Sequence, residues 1–184
     1  DSAPIASGTP YLDGIWSYCR GGAHISMGNL AAARLELGKI WQLISLNDID
    51  KHRTGPTPVS SILRLAAHGL SGEIKQASGD ILSAIKDYES AIAIEDKNAY
   101  IEPPDWPQPI RHYLGDALLQ AGQPKKAEEV YRKDLDWHQN NGWALFGLWQ
   151  SLAAQGKSEE ADETYKKFRY AWRNADTNLI RSRI

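Results

Sequence analysis

The amino-acid sequence predicts an all-α protein built from stacked helix–turn–helix repeats, and three observations support this fold class. A phrase of Gly, four residues, Ala, three residues and then a large apolar or aromatic residue recurs along the chain. Apolar residues between the glycines recur at spacings of three and four, which is the period of one helix face. Gly-Asn, Gly-Asp, Gly-Gln-Pro and Gly-Lys-Ser junctions separate these stretches, and such junctions end one helix and begin the next. No stretch shows the alternation of a half-buried strand.

The phrase occurs four times, at Gly28-Ala33-Leu37, Gly79-Ala84-Tyr88, Gly122-Ala127-Tyr131 and Gly156-Ala161-Tyr165. The last two copies are 34 residues apart, which is the period of tetratricopeptide repeats. Seven residues before the first three glycines stand further glycines, at Gly21, Gly72 and Gly115. The pattern resembles the tetratricopeptide-repeat (TPR) family, in which a small residue at this position lets two helices cross closely. The resemblance implies a right-handed α-solenoid of about four repeats and about eight helices.

We predict eight helices, over residues 11–27, 30–46, 58–77, 80–95, 108–121, 124–136, 142–155 and 158–173. A chain of 184 residues is ordinary for one domain, so we predict a single TPR-like domain over 1–184. Its repeats are expected at about 11–46, 58–95, 108–136 and 142–173, followed by a terminal cap at 174–184 that adds a turn or a short helix.

Two insertions interrupt the repeat, because the glycines of the first three phrases are separated by 51 and 43 residues. The first insertion, at 47–57, is polar and is predicted to be a mobile loop. The second, at 96–107, contains three prolines, which predict a stiff, extended strap. Either Tyr100 and Trp106 pin this strap to the edge of the repeats, or the strap borders a ligand groove.

The fourth repeat has Trp149 where the pattern requires a small residue. A helix crossing cannot be tight over an indole, so we expect the last repeat to open or rotate, or Trp149 to face the terminal cap. The stretches 16–21, 102–106 and 141–148 together resemble the C-terminal part of longer, uncharacterised bacterial TPR proteins. That resemblance implies further repeats before residue 1 and brings no known activity with it.

The TPR resemblance also implies which residues face a ligand groove, namely positions 2, 5, 9, 12 and 13 of each repeat, counted with Gly21, Gly72, Gly115 and Trp149 at position 8. We call these the groove positions. Apolar surface with a few convergent polar groups is typical of peptide and small-molecule sites. The candidate binding residues, including the strap tryptophan and two flanking arginines, are Tyr18, Arg20, Glu73, Gln76, Trp106, Arg111, His112, Asp116, Trp143, Phe146 and Gln150.

Two alternatives accompany this candidate site. Trp143 and Phe146 are equally well explained by burial against the preceding repeat. Arg20 and Arg111 would close the strap if they paired with Glu102 or Asp105, which are the strap carboxylates; as a surface ion pair, either contact would contribute only about 0–1 kcal/mol.

No constellation in the sequence predicts chemistry. His112 and Asp116 share a helix face and could meet Glu73, but an ordinary hydrogen bond explains the pair better, because no nucleophile or cofactor loop accompanies it. Cys19 and His24 are spaced to point apart around their helix, and Met27 is expected in the core, so no metal site is predicted. We therefore predict no catalytic residue, no metal and no cofactor.

Composition narrows the class of partner. The net charge of −2 offers no concentrated basic surface, so nucleic acid is not predicted. The basic residues near the end of the chain are expected on a solvated convex face; they are Lys166, Lys167, Arg169, Arg173, Arg181 and Arg183. No apolar run approaches the roughly 20 residues of a membrane helix, so no membrane partner is predicted. A cytoplasmic location is favoured, and a periplasmic one stays open.

The sequence therefore predicts a non-catalytic scaffold that binds a protein or peptide through the groove positions. One alternative is a small-molecule sensor or carrier with residues 97–107 as its lid. Another is an accessory region of a larger enzyme. Exposed apolar ends of the solenoid would in addition favour self-association.

Overall fold

The computed structural model describes residues 8–99 and 101–183 and divides the chain into two compact units. Unit 1 extends to Pro107, and unit 2 begins at Gln108. The described residues form eight α-helices, which confirms the all-α prediction. The prediction of one domain over the whole chain stays a prediction.

Unit 1 contains two consecutive helix pairs, α1 (Pro10–Ser26) with α2 (Leu30–Ile44), and α3 (Val59–Ala77) with α4 (Ile81–Glu95). Helix α1 packs on both α2 and α3, and α3 packs on α4. All four helices lie within about two residues of their predicted bounds, since glycine or asparagine ends each of them in sequence. One core cluster of unit 1 comprises Ala33, Ile40, Ile49, Val59, Leu63, Ala67, Leu70 and Ile74.

Unit 2 contains α5 (Ile110–Gln120) with α6 (Pro124–Trp137), and α7 (Gly142–Ala154) with α8 (Ser158–Ala171). Helix α7 packs on α5, α6 and α8. Its N-cap Asn141 accepts hydrogen bonds from the backbone amides of Trp143 and Ala144, which satisfies donors that have no partner inside the helix. After α8 the chain bends without a further helix in its described part. We call residues 174–183 the post-α8 segment.

The turn inside each helix pair is closed by one repeated backbone arrangement. The glycines at these turns all have positive φ angles of 68–86°, at Gly28, Gly79, Gly122 and Gly156. The amide of the next residue bonds to a carbonyl five residues earlier, as from Gln123 to Leu118 at 2.9 Å. This is a Schellman helix end, which favours glycine because other residues are strained at positive φ. The junction glycines of the sequence therefore predicted the turns correctly.

In the second and third repeats, the small residue before the turn receives a tyrosine ring from the second helix of its pair; in the first repeat, Gly21 meets Leu70 of α3 instead. A Cβ atom on Gly72 would lie 2.4 Å from the ring of Tyr88, and one on Gly115 would lie 2.2 Å from the ring of Tyr131. Gly147 of α7 approaches the same Tyr131 ring equally closely. Both tyrosines are fully buried, so the tight helix crossing predicted from the glycines is filled by these rings.

The fourth repeat differs because Trp149 occupies the small position. Its indole lies 4.9 Å from the ring of Tyr165 and 5.3 Å from that of Phe146. Tyr165 is consequently 38% exposed, whereas the tyrosines at the same position of the two preceding repeats are fully buried. The indole therefore lies between α7 and α8. This position agrees with the expectation that the last helix pair is opened by Trp149.

The first insertion is folded, and the prediction of a simple polar loop is wrong. Residues Ile49–Lys51 form a 3-10 helix, and Arg53–Thr54 pairs with Thr57–Pro58 as a short antiparallel hairpin. Ile49 and Thr57 are buried, and this anchoring gives the segment a fixed structure. The expectation that no strand occurs is therefore also wrong, for this hairpin.

The second insertion bends at residues 102–103 and again from 105, so the prediction of a continuously extended strap is wrong. Tyr100 lies outside the described residues. None of the helices in the described part of the chain has the length and apolarity needed to cross a membrane.

Candidate functional site

In unit 1 the strap contacts a groove position of the first repeat. Trp106 presents a T-shaped ring contact to Tyr18 of α1, with ring centroids 4.9 Å apart and planes at 71°. The hydroxyl of Tyr18 donates a hydrogen bond to Oε1 of Glu73 on α3, at 3.3 Å. The structure thus brings together three predicted site residues. Trp106 is half-buried, so the strap lies on the aromatic groove residue rather than apart from it.

Gln76 is also tied into unit 1. Its Oε1 atom accepts a hydrogen bond from the hydroxyl of Tyr88 at 2.8 Å, and the Gln76 residue is only 6% exposed. The buried hydroxyl of Tyr88 thereby gains the partner that a buried polar group needs. Gln76 consequently supports the helix pair in addition to occupying a groove position.

Arg20 does not pair with a strap carboxylate. Its Nε atom donates to Oε1 of Glu36 at 3.2 Å, and Nζ of Lys39 donates to the same oxygen at 2.8 Å. Burial would raise the pKa of the Glu36 carboxyl, but the hydrogen bonds and charges of Lys39 and Arg20 outweigh it and lower that pKa. Asp105 of the strap accepts a hydrogen bond from Thr54 of the hairpin at 3.2 Å instead.

In unit 2 the imidazole of His112 turns toward α6 and not toward Asp116. Its Nε2 atom lies 3.0 Å from Oδ2 of Asp134, and both side chains are 1% exposed. The other Asp134 oxygen lies 3.1 Å from Nδ1 of His138. The acid–base pair of His112 with Asp116 is therefore not assembled.

Asp116 instead contacts the post-α8 segment. Its Oδ2 atom accepts hydrogen bonds from Nε of Arg183 at 3.2 Å and from Nε2 of Gln120 at 3.1 Å. The guanidinium of Arg183 also lies 5.6 Å from the centroid of the Tyr113 ring, within the range of a cation–π contact. Arg183 is 12% exposed, so the prediction that it lies on a solvated convex face is wrong.

Ser182 is the most deeply buried residue of the post-α8 segment, at 0% exposure. Its hydroxyl donates a hydrogen bond to the backbone carbonyl of His112 at 3.1 Å, and its oxygen is bonded to the hydroxyl of Tyr131. A serine hydroxyl has one hydrogen, so Tyr131 must be the donor in the second bond. Burial raises the pKa of Tyr131, and the phenol therefore keeps the proton that it donates.

The aromatic candidates of the fourth repeat pack inside their own helix pair. Phe146 is 6% exposed and lies 5.2 Å from the ring of Phe168 on α8. The ring of Trp143 lies 5.2 Å from that of Trp172 and is half-buried. For Phe146, burial in the core is the interpretation that the contacts support. Gln150 is half-buried.

Arg111 is 7% exposed, although the sequence predicted it at the flank of the groove. Cys19, His24 and Met27 were considered as soft metal ligands in the sequence and were not predicted to form a site. Cys19 is exposed, and Met27 is 70% exposed rather than in the core. Among residues 8–99 and 101–183 no three His, Cys, Asp or Glu side chains are grouped to hold a metal ion.

We call the contact region of Asp116, Tyr131 and the His112 carbonyl with Ser182 and Arg183 the unit 2 site. Sequence reasoning missed three of its residues, Tyr131, Ser182 and Arg183. Tyr131 was recognised as part of the repeat phrase, but its hydroxyl was assigned no role. Ser182 and Arg183 lie in a stretch without helical periodicity, so no local signal indicated their contacts. Asp116 was predicted as a groove position, and the structure gives it partners within the same chain, Gln120 and Arg183.

Paired helices, left-handed glycine turns and tyrosine-on-glycine crossings define a TPR-like helical-repeat fold. Two solved structures from Podosopora anserina share it; both show a kinesin-light-chain-like protein with nearly identical TPR-like repeats. The first matches with a TM-score of 0.62 at 19% identity, over 92% of this chain and 78% of that chain. The second matches with a TM-score of 0.54 at 15% identity, over 92% and 99%. At such identities the likeness concerns the fold alone.

No protein-family model matches the sequence. No curated protein matches it either. The narrower resemblance to bacterial TPR proteins stays a prediction.

Proposed function

We propose that this chain is a non-catalytic binding module that holds an extended protein or peptide segment at the groove positions of its repeats. The observation that carries the proposal is the seat of Ser182 and Arg183 on α5 and α6. There a segment without regular structure has its hydroxyl and its guanidinium matched by buried protein groups. Recognition of an extended peptide uses the same elements, namely a few deep polar contacts made by a chain of low intrinsic structure.

Unit 1 supports the proposal with a second example. Trp106 belongs to a non-helical strap and lies against Tyr18, a groove position of α1. Both rings are half-buried, and partly accessible Tyr and Trp side chains are effective anchors for a partner side chain. Both units therefore use groove positions to hold chain that is neither helix nor strand.

The absence of an enzymatic role is part of the proposal. The carboxylate and imidazole candidates serve structural pairs: His112 is bonded to Asp134, and Asp116 is bonded to Arg183. A general base needs an accessible proton acceptor beside a substrate, and these side chains are nearly buried.

The proposal is tested by selecting peptides from a random library against the immobilised full chain. Peptides enriched on the chain are then measured against Tyr18→Ala and Trp106→Ala, with Glu89→Ala as the matched control on an exposed face of α4. We expect at least tenfold weaker binding to the Tyr18 or Trp106 variant and unchanged binding to the Glu89 variant. Equal binding to all three variants would place the contact elsewhere and remove the support from the groove positions.

A small-molecule carrier is the second candidate, because Trp106 covers Tyr18 in the manner of a lid. Native mass spectrometry of the freshly purified chain, before and after denaturation, distinguishes it from the first. A retained small mass that is lost on denaturation, and that Trp106→Ala fails to retain, would favour the carrier. A bare chain would favour peptide binding.

Self-association through a repeat end is also a proposal, and it concerns α1 and α2. Leu12, Trp16, Leu35 and Leu46 are 44–71% exposed on these two helices and just after them. Trp16 and Leu46 line a cavity of about 270 Å³. Analytical ultracentrifugation of the Trp16→Glu variant beside the unmodified chain tests this. We expect the apparent mass to rise with protein concentration in the unmodified chain and to stay constant in the variant.

A further inference from the structure

The surface of unit 2 that holds residues 179–183 has the composition of a recognition site for a particular short sequence. We propose that Asp116, Tyr131 and the His112 carbonyl form a site for an extended peptide of the form Leu-x-x-Ser-Arg. We further propose that the chain's own Leu179-Ile180-Arg181-Ser182-Arg183 occupies this site as an internal competitor. This inference rests on the proposed function and specifies the partner's chemistry and its regulation.

The serine position is selected by donor and acceptor complementarity. The carbonyl of His112 takes the serine proton, and the hydroxyl of Tyr131 supplies a proton to the serine oxygen. An alanine there would leave the buried Tyr131 hydroxyl without this acceptor, and an acidic side chain would face a carbonyl oxygen. Leaving a buried polar group unsatisfied is costly, so the site discriminates in favour of a small hydroxyl.

The arginine position is selected by charge and by shape. The side chain of Asp116 is 8% exposed and accepts the Arg183 Nε hydrogen at 3.2 Å. The planar guanidinium also lies over the ring of Tyr113. Arginine satisfies both contacts at once, whereas the compact ammonium of lysine presents no planar face.

The apolar position is supplied by Leu179, three residues before the serine. It packs against the aromatic cluster of α7 and α8 that contains Phe146 and Phe168. Between these anchors, Ile180 is 83% exposed, and Arg181 is exposed with its Nη1 atom 4.0 Å from Oδ2 of Asp116, farther than the Nε atom of Arg183. Buried and half-buried anchors that are separated by exposed residues are typical of a docked peptide.

These contacts suit an exchangeable occupant. Within the described residues, the post-α8 segment has no helix or strand, so its removal breaks no backbone ladder. Its advantage over a free peptide is its high effective concentration, which for a short flexible connection is on the order of 1 mM. A free peptide with a Kd of about 10 µM would therefore bind roughly 100-fold more weakly while the internal segment is in place.

The test uses the full chain and a labelled synthetic peptide of residues 176–183, Asp-Thr-Asn-Leu-Ile-Arg-Ser-Arg, read by fluorescence anisotropy. The internal segment is released with Ser182→Asp and Arg183→Glu together, which place negative charge beside the His112 carbonyl and Asp116. We expect the released chain to bind the peptide about 100-fold more tightly than the unmodified chain. Adding Asp116→Asn to the released chain should abolish the gain, and a peptide with Ser182→Ala and Arg183→Ala should bind neither chain.

Circular dichroism establishes that the released chain is folded. A folded released chain that does not bind the peptide would overturn the proposal and would mark residues 179–183 as a structural cap only. The peptide selection on Tyr18 and Trp106 is independent of this outcome, so the failure of either proposal is recognised separately.

If the released chain does not fold, the unmodified chain carries the test. The indole Nε1 of Trp172 donates to the carbonyl of Thr177 at 2.7 Å, so its proton resonance reports whether the segment is docked. Titration with several millimolar peptide should shift this resonance, which is assigned with Trp172→Phe. The proposal would be overturned if the peptide shifted neither this resonance nor any other in the spectrum.

Discussion

Tyr88 of unit 1 and Tyr131 of unit 2 occupy the same position of their repeats but use their hydroxyl groups differently. Both rings are fully buried against a glycine of the first helix. Tyr88 donates to Gln76, a groove position of its own repeat, whereas Tyr131 is bonded to Ser182, which is 51 residues further along the chain. The residue of unit 2 that corresponds to Gln76 is Leu119, which offers no acceptor. One side-chain difference thus leaves the Tyr131 hydroxyl available to an incoming segment.

The comparison teaches that repeat geometry and binding chemistry are separable in this chain. The glycine and tyrosine pair fixes the helix crossing in both units. The residue at groove position 12, which is Gln76 in unit 1 and Leu119 in unit 2, then decides whether the tyrosine hydroxyl finds its partner within the repeat or in another segment. Since a buried hydroxyl must find a partner, unit 2 requires an occupant that unit 1 does not.

The largest expected effect comes from disturbing the contact between the Tyr131 ring and Gly147. Gly147→Ala would place a Cβ atom 2.2 Å from Cζ of Tyr131, and such overpacking typically costs about 2–3 kcal/mol of unfolding free energy. Gly38→Ala is the matched control, because nothing lies within 4 Å of a Cβ atom there. It should stabilise the chain by about 0.5–1 kcal/mol, as alanine does in place of a helical glycine. Urea unfolding measures both, and equal effects would show that Tyr131 moves aside without cost.

A smaller effect separates the two hydroxyl groups. Tyr131→Phe and Tyr88→Phe each remove one buried hydrogen bond, so each should cost about 1–2 kcal/mol in unfolding free energy. Of these two variants, only Tyr131→Phe should accelerate hydrogen exchange of the amides at 177–183, because the hydroxyl of Tyr131 bonds to Ser182 of the post-α8 segment whereas that of Tyr88 bonds to Gln76. Acceleration there in Tyr88→Phe as well would mean that the segment follows global stability rather than its own contacts.

Each unit also contains a buried glutamate held by cations, and the one in unit 2 predicts a pH dependence. Burial would raise the pKa of Glu128, but hydrogen bonds from Lys157, Gln155 and Arg132 outweigh it and lower that pKa from 4.5 to about 2. Because the folded carboxyl binds its proton at lower pH than the unfolded one, its contribution is complete above about pH 5 and is lost as the pH falls toward 2.

Glu128→Gln should therefore lower the unfolding free energy by about 1–2 kcal/mol at pH 7, with the difference from the unmodified chain shrinking below about pH 4.5. Thermal unfolding across this pH range measures the effect, with the exposed Glu129→Gln as the control. A difference that stays constant down to pH 2 would contradict the low pKa.

The fold was predictable from the sequence because its determinants are local. The glycine junctions, the 3.6-residue periodicity and the repeated tyrosine all act within about 40 residues. The unit 2 site was half predictable: position counting selected Asp116, but the partners of this carboxylate and of the His112 carbonyl are 67 and 70 residues away. No local pattern encodes contacts of that separation. Trp149 shows the intermediate case, since its size predicted an altered crossing without fixing which neighbour it would contact.

The smallest expected effect on unfolding free energy comes from replacing Leu119 of unit 2 with glutamine, the residue type that stands at the same repeat position in unit 1. Leu119→Gln would offer Tyr131 the kind of acceptor that Gln76 offers Tyr88, and the Ser182 oxygen would then compete for one donor. We expect a loss of about 0.5 kcal/mol in unfolding free energy, because one hydrogen bond replaces another and little apolar area is lost.

The same Leu119→Gln change should measurably accelerate amide exchange at 177–183, since the segment loses its tyrosine partner while Asp116 still holds Arg183. The reverse change, Gln76→Leu in unit 1, should leave that exchange unaltered and destabilise the chain by about 1 kcal/mol through the loss of the hydrogen bond from Tyr88 to Gln76. Exchange at 177–183 that is the same in Leu119→Gln and in the unmodified chain would show that the bond between Tyr131 and Ser182 does not depend on position 12. The difference between the two units would then have to lie in the other contacts of the segment, such as that of Arg183 with Asp116.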